Sequence, residues 1–208
     1  MRQSQWMASS GKPWRSASKA MAILNKKTLW QGKFLRSVLI EYVIRCNSSN
    51  CKEKRTWEAF ERVDCDGVIG IVPFTDDNEV ILIRQFRPPV NGFVIELPAG
   101  LVDQGEPFEQ AVRRELIEET GYEAGVVEFL TEGPMSSGAS SEILSVYVAT
   151  GLRHVGIGQR DETEDIQVIV VPLAQIAEKL NALKNSGDHI DLKVYGMIEM
   201  ARQTVLMK

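Results

Sequence analysis

This 208-residue chain is short of paired cysteines, clustered histidines, long apolar runs and, at one end, acids. Its three cysteines, Cys46, Cys51 and Cys65, form no CxxC pair. That argues against a zinc ribbon or a disulfide scaffold and fits a reducing, cytoplasmic compartment. His154 and His189 stand too far apart to suggest a histidine metal site, and read as a loop residue and a helix-cap residue. No apolar run approaches the roughly 18 residues that a membrane-spanning helix requires, so no membrane partner is expected. No GxxxxGKS or GxxxxGKT stretch exists, which removes the P-loop as a phosphate cradle. Aromatic residues are few, at 7%, but 44% of the chain is hydrophobic, enough to bury a core at this length. Residues 1–40 contain no Asp or Glu and eight Lys or Arg, while the rest holds 16 basic and 28 acidic residues, a net of −12. An acidic body lacks the basic face that nucleic-acid binding needs. It is compatible with a phosphate substrate if a divalent cation mediates.

Residues 1–20 are rich in Ser, Arg and Lys. They read as a basic flexible tail, as sequence upstream of a start at Met21, or as an organellar transit segment. A strand is expected from Thr28 to Cys46, a turn at 47–50, and a returning strand from Thr56 to Val63. Residues 21–65 thus form a small antiparallel β-region, and 66–208 the main domain. In the main domain, Val68–Phe74 and Val80–Arg84 flank Asp76-Asp77-Asn78 as a hairpin. Arg84–Asn91 reads as a loop, and Val94–Leu97 as a short strand ending at Pro98-Ala99-Gly100. A helix spans Pro107–Thr120 and stops at Gly121. Strands follow at Val126–Thr131 and Ile143–Ala149, then a polar loop over Gly151–Glu164 and a strand at Ile166–Val171. Pro172 opens a helix to about Leu183, and Asp188 caps a last helix to Leu206. The order is mixed α/β and not a regular βαβ repeat.

On a helical wheel, Phe108, Ala111, Val112 and Leu116 of the Pro107–Thr120 helix share one side. Glu115 and Glu119 fall on that side as well, with Glu118 close by; Ile117 points outward. Carboxylates on a buried stripe are costly unless compensated, and several together repel. A hard divalent cation resolves both problems, which points to Mg²⁺ or Mn²⁺. Glu106 lies at the mouth of the helix, where the dipole favours its charge. Arg114, beside the glutamates, is placed to hold one of them in a bidentate pair.

Gly100, five residues, Glu106, seven residues, then Arg114-Glu115-Leu116-Ile117-Glu118-Glu119-Thr120-Gly121-Tyr122 resembles the Nudix box, GX5EX7REUXEEXGU, with U bulky and apolar. The one soft departure is Tyr122, where an aliphatic residue is usual. The flanks, Arg84-Gln85-Phe86-Arg87-Pro88-Pro89 and Ile95-Glu96-Leu97-Pro98-Ala99-Gly100, with Thr56-Trp57-Glu58 and Arg62 upstream, resemble the ADP-ribose and nucleotide-sugar pyrophosphatase branch.

That resemblance implies a Nudix α/β/α sandwich preceded by a small β-domain, and a homodimer joined through the N-terminal sheet. It implies a metal site of the Ala99 carbonyl, Glu115, Glu118 and Glu119, with Glu164 as a further ligand. Glu162 becomes the general base, either acid of the 161–165 loop being able to reach, and Glu118 and Arg114 complete the catalytic set. Trp57 is implied to stack on the base, with Glu58 and Arg62 holding the nucleotide. Arg87 (or Arg84) and Glu96 would contact phosphate or base, and Met135 and Gly138 would line a loop facing the terminal sugar. In that loop Ser137 stands where the branch often has proline, which weakens the case for ADP-ribose in particular. The expected reaction is metal-dependent hydrolysis of a nucleoside diphosphate sugar, ADP-ribose to AMP and ribose 5-phosphate first, with GDP-mannose or a dinucleotide as alternatives. The rival class is a non-catalytic nucleotide-sensing module; such modules often lose box glutamates, and this chain keeps all four.

Overall fold

A computed structural model describes residues 21–45, 52–156 and 165–205. Chain contacts divide it into two units. One runs to Val63 and takes in Gly138–Ser141; the other comprises Asp64–Ser137 and the chain from Glu142 onward.

The first unit is a three-stranded antiparallel sheet of β1 (Met21–Gln31), β2 (Leu35–Arg45) and β3 (Lys52–Arg62), in that order. The single strand expected over Thr28–Cys46 is in fact the end of one strand and the whole of the next. Gly32 donates its N–H to the Leu35 carbonyl at 2.8 Å, closing a tight turn. The Trp30 ring lies where a Cβ on residue 32 would stand, so a larger residue there would have to push this exposed ring aside. Irregular register at Ile23/Asn25 and Thr28/Trp30 hides the alternation of β1 from a period-two reading. The turn expected at 47–50 lies outside the described residues. At the centre Val38 faces Thr28 on one side and Ala59 on the other, and both Val38 and Ala59 are buried. Gly138–Ser141 adds beside β3 through a parallel bridge between Phe60 and Ser140.

The second unit holds two four-stranded sheets. One has the order β7 (Ala99–Val102), β4 (Gly67–Pro73), β9 (Ile143–His154), β8 (Tyr122–Pro134). The other has the order β10 (Ile166–Pro172), β5 (Glu79–Arg87), β6 (Gly92–Glu96), β11 (His189–Ile190). The β4–β9 and β6–β11 pairs are parallel and the rest antiparallel. Side-chain alternation sorts β4 and β9 into two faces. Ile69, Ile71, Tyr147 and Ala149 pack on Ala111, Val112 and Leu116 of α1 (Phe108–Thr120). Val72, Val146 and Val148 pack in the other core with Leu82 and Ile95, and with Leu180 of α2 (Ile176–Asn185) and Val194 and Ile198 of α3 (Leu192–Val205). The architecture is thus mixed α/β, mostly strand, with helices against both sides of the strands. No helix among the described residues is long and apolar enough to cross a membrane.

Three expectations need correcting here. The Asp76–Asn78 turn does not close a hairpin within one sheet: β4 and β5 lie in different sheets, joined by a single bridge between Phe74 and Val80. Both runs are buried on both faces, so each can serve a separate sheet. Arg84–Arg87, expected as loop, continues β5, and only Pro88–Val90 forms a 3-10 turn. Asp188 does not cap the last helix. Asp191 does, its Oδ1 accepting from Lys193 N at 2.8 Å, while Asp188 is held by Arg84.

Candidate functional site

The expected helix forms almost as read, over Phe108–Thr120. Gly121 ends it in the left-handed conformation, φ 78°, with its N–H on the Ile117 carbonyl at 2.9 Å. Ala111, Val112, Leu116, Glu119 and Thr120 are buried, so one carboxylate does lie on the core stripe. Ile117, which the wheel leaves outward, is partly buried. Tyr122 fills the last apolar position with its ring edge-on to His154 at 5.0 Å between centroids, and packs on the α1 core. His154 therefore closes β9 as a packing partner instead of sitting in a loop, and His189 lies in β11 and not at a helix cap.

Arg114 organises the acids around it. Its Nε and Nη2 donate to Glu106 Oε1 and Oε2 at 3.0 and 2.9 Å. Its Nη1 donates to Glu115 Oε1 at 2.7 Å and Glu118 Oε2 at 3.1 Å. Nη2 also reaches the Leu101 carbonyl of β7 at 3.0 Å. The fork geometry of guanidinium makes this possible; an ammonium could not span it. Glu106 is held below the ordinary carboxylate range, first by the Arg114 bonds and, against some desolvation, also by the Asp103 N–H. Arg114 is pushed further above its ordinary value, chiefly by Glu106.

The backbone of β7 meets Glu119 and also Glu115. Ala99 N–H donates to Glu119 Oε2 at 3.0 Å, and Glu119 is only 5% exposed. A Cβ on Gly100 would overlap the Glu115 carboxyl group, so glycine here lets the carboxylate lie on the strand. Ala99, Glu115, Glu118 and Glu119, the expected metal set, are thus gathered at one corner of α1 and β7. Their chemistry, hard carboxylate and carbonyl oxygen, fits Mg²⁺ or Mn²⁺. Among the described residues no three Asp, Glu, His or Cys side chains already form a cation cage, because Glu115 and Glu118 are turned onto Arg114. Glu162 and Glu164 lie outside the described residues.

The two arginines of β5 separate by face, being three residues apart on a strand. Arg87 pairs with Glu96 at 2.8 Å. Burial pushes the Glu96 carboxyl up, and Arg87 offsets part of that rise. Arg84, on the other face, makes a bidentate pair with Asp188 at 2.8 and 2.8 Å and lies 3.7 Å over the Phe93 ring. Glu96 therefore joins Arg87 and not Arg84. Gln85, which the sequence reading passed over, shares the Arg87 face. It is 7% exposed, and its Oε1 has no hydrogen-bond partner. A polar residue continuing the buried Ile81, Ile83 stripe was the signal that could have marked it.

Trp57 and Glu58 point to opposite faces of β3 in the first unit, both exposed, and Arg62 ends that strand. Trp57 Nε1 donates to the Gly138 carbonyl at 2.9 Å, which joins two of the expected substrate residues. Met135, just past β8, is exposed and donates its N–H to the Glu142 carbonyl at 3.2 Å.

Comparison with known proteins gives the family. The family model described as NUDIX domain matches residues 66–191, more than half of the chain. An ADP-ribose pyrophosphatase of Bacillus subtilis is 32% identical over 155 residues, 74% of this chain and 82% of that protein. A GDP-mannose pyrophosphatase of Citrobacter koseri is 33% identical over 166 residues, 76% of this chain and 84% of the relative. A crystal structure of an ADP compounds hydrolase superposes with a TM-score of 0.64 at 26% identity, covering 78% of this chain and 83% of that one. With the box residues converging on one corner and the family model matching more than half of the chain, the chain belongs to the Nudix hydrolase family.

Proposed function

We propose that the chain hydrolyses the diphosphate bridge of a nucleoside diphosphate sugar, ADP-ribose to AMP and ribose 5-phosphate first. The observation that carries this is the Arg114 fan, which holds Glu115 and Glu118 beside the β7 backbone where Glu119 is anchored. A divalent cation bound by Ala99, Glu115, Glu118 and Glu119, with Glu164 as a further ligand, would neutralise the diphosphate and acidify water. The chain's own residues do the rest. Glu115 and Glu118 are oriented by Arg114, and Glu119 is held on the Ala99 N–H. The base, assigned to Glu162, takes a proton from water as its oxygen bonds to one phosphorus. The bridging P–O bond breaks and the electron pair leaves with the other phosphate. Arg87, paired with Glu96, is assigned to phosphate or base. Trp57, Glu58 and Arg62 are assigned to the nucleoside, and Met135 and Gly138 to the sugar.

GDP-mannose is the second substrate to test, because a GDP-mannose pyrophosphatase matches as fully as an ADP-ribose pyrophosphatase does. The homodimer belongs to the same reading. It is supported by the exposed apolar side chains Ile23, Trp30, Phe34 and Phe60 on the first unit, more than one small sheet normally leaves in water. A cytoplasmic site of action is supported only by the sparse cysteines.

The deciding experiment is product analysis with ADP-ribose and Mg²⁺, beside a Glu119→Gln control. AMP plus ribose 5-phosphate from the wild type alone supports the reading. Cleavage of GDP-mannose but not ADP-ribose keeps the chemistry and moves the specificity. No turnover of any diphosphate, with nucleotide still bound, overturns it. Sedimentation of the full chain tests the dimer.

A further inference from the structure

Glu106 is one of the acids that Arg114 holds, and its own place is set from outside the helix. The loop that carries it, between β7 and α1, is tied to the start of β4. Asp66 Oδ2 accepts the Gly105 N–H at 2.7 Å, and the Asp66 N–H donates to the Val102 carbonyl at 2.9 Å. The β4–β7 ladder ends at the pair of Gly67 with Val102, so Asp66 carries the pairing past that end and onto the loop. The loop then turns back on itself. Glu106 N–H donates to the Asp103 carbonyl at 3.0 Å, and Glu106 Oε2 accepts the Asp103 N–H at 3.1 Å. Next to Asp66, a Cβ on Gly67 would meet the Phe108 ring at 2.7 Å, so the first residue of α1 packs directly on the β4 backbone. Asp66 and Gly67 thus fix both ends of the segment from Gly105 to Phe108.

We propose that Asp66 is a positioning residue for the Arg114 fan, acting through the Gly105 N–H and Glu106. The inference rests on the reading of Glu115 and Glu118 as cation ligands. Arg114 gives Nε and Nη2 to Glu106, and Nη1 to Glu115 and Glu118. A guanidinium is planar and rigid, so a shift of the Glu106 carboxyl turns the whole fork and moves the bonds at Nη1 with it. The bonds of Asp66 go to loop and strand backbone and not to the fan, so it acts by where it holds the loop. Asp66 is exposed, and substitutions at such surface positions change stability little. What the bond fixes is the place of Glu106. A residue that orients a metal ligand is worth about 10–100-fold in metal affinity, and Asp66, further out, is expected to be worth less.

The test uses the full chain, labelled with ¹⁵N and ¹³C, and two readouts that need no turnover. One is the Arg114 Nε–H resonance of the metal-free protein, assigned through bonds from its own backbone. The other is Mn²⁺ affinity by calorimetry. Asp66→Ala is expected to move the Arg114 resonance, to speed exchange of that proton, and to weaken Mn²⁺ by about threefold to tenfold, with the melting temperature nearly unchanged. Asp66→Asn keeps an acceptor for the Gly105 N–H and is expected to restore both readouts to within about twofold of the wild type. In a Glu106→Gln background Asp66→Ala is expected to weaken Mn²⁺ by less than about twofold more, because the two act along one path. The proposal is overturned if Asp66→Ala frees the Gly105 amide but leaves the Arg114 resonance and Mn²⁺ affinity in place. It is overturned as well if the full loss persists in the Glu106→Gln background. A wild type that binds no Mn²⁺ and cleaves no diphosphate removes the hydrolase reading, while this one still stands or falls on the Arg114 resonance.

Discussion

Two centres in the molecule bury glutamate beside cations, with inverted ratios. In the first unit Glu61, 6% exposed, is served by two cations, Lys26 and Arg36. At the corner of α1 one cation, Arg114, serves three carboxylates, Glu106, Glu115 and Glu118. Two cations on one anion is a closed structural arrangement: desolvation raises the Glu61 carboxyl, but the bonds from Lys26 and Arg36 outweigh it and the net shift is downward. One cation shared by three anions is an arrangement that a further positive charge would strengthen, and a divalent cation is the group proposed to supply it. Charge excess of one sign, more than burial, separates the candidate site from the structural centre.

The strongest test neutralises one acid at each centre. Glu118→Gln is expected to lower kcat by about 10²–10⁴, the usual worth of a catalytic carboxylate, with the fold retained by circular dichroism. Glu61→Gln is expected to leave kcat unchanged and to lower the melting temperature, since a charge-assisted bond in the sheet is worth about 1–3 kcal/mol. Equal loss of activity in both variants would erase the distinction.

Gly100→Ala comes next. The new Cβ displaces the Glu115 carboxyl, which sits at the end of a flexible side chain and can swing away. Activity is therefore expected to fall by about 10²-fold, as for a small misplacement of a reacting group, while the melting temperature barely moves. Glu106→Gln should do less. It removes one charged partner of Arg114 without touching Glu115 or Glu118, and a loss of about 10–100-fold in kcat or in Mg²⁺ dependence is expected, as for other residues that orient metal ligands.

The smallest effect is in pH. Glu106 and Asp188 are held low chiefly by their arginines, and Glu61 is low on balance. Each adds stability that is complete above the unfolded carboxylate range, about pH 4, and is lost as pH falls through the lowered values. Glu96 has the opposite sign. Burial raises it, so its contribution is greatest below that range and declines as pH rises through its raised value. Melting temperature should thus drop below about pH 4, and Glu61→Gln should make that drop shallower.

The α1 corner was the most legible part of the molecule. Its signals are local: a 3.6-residue period, a glycine stop and a run of acids at i, i+3 and i+4. The helix bounds and the burial of Glu119 followed from those. The first unit was less legible. Gly32 sits between two apolar stretches that read as one, and the register irregularities of β1 disguise its alternation. Asp188 is hard to place from sequence for a related reason: a carboxylate near a helix start suggests a cap, but its partner Arg84 is 104 residues away.

The sequence by itself determined that Arg114, Glu115, Glu118 and Glu119 gather at the candidate site, because they lie within two turns of α1 and helical geometry brings them together. Tertiary structure alone decided the pairings that cross the chain: Glu96 with Arg87 and not Arg84, Asp188 with Arg84, and the Gly138 carbonyl with Trp57. Those depend on strand face and on contacts between distant segments, and side-chain period along one strand carries no record of what packs beside it.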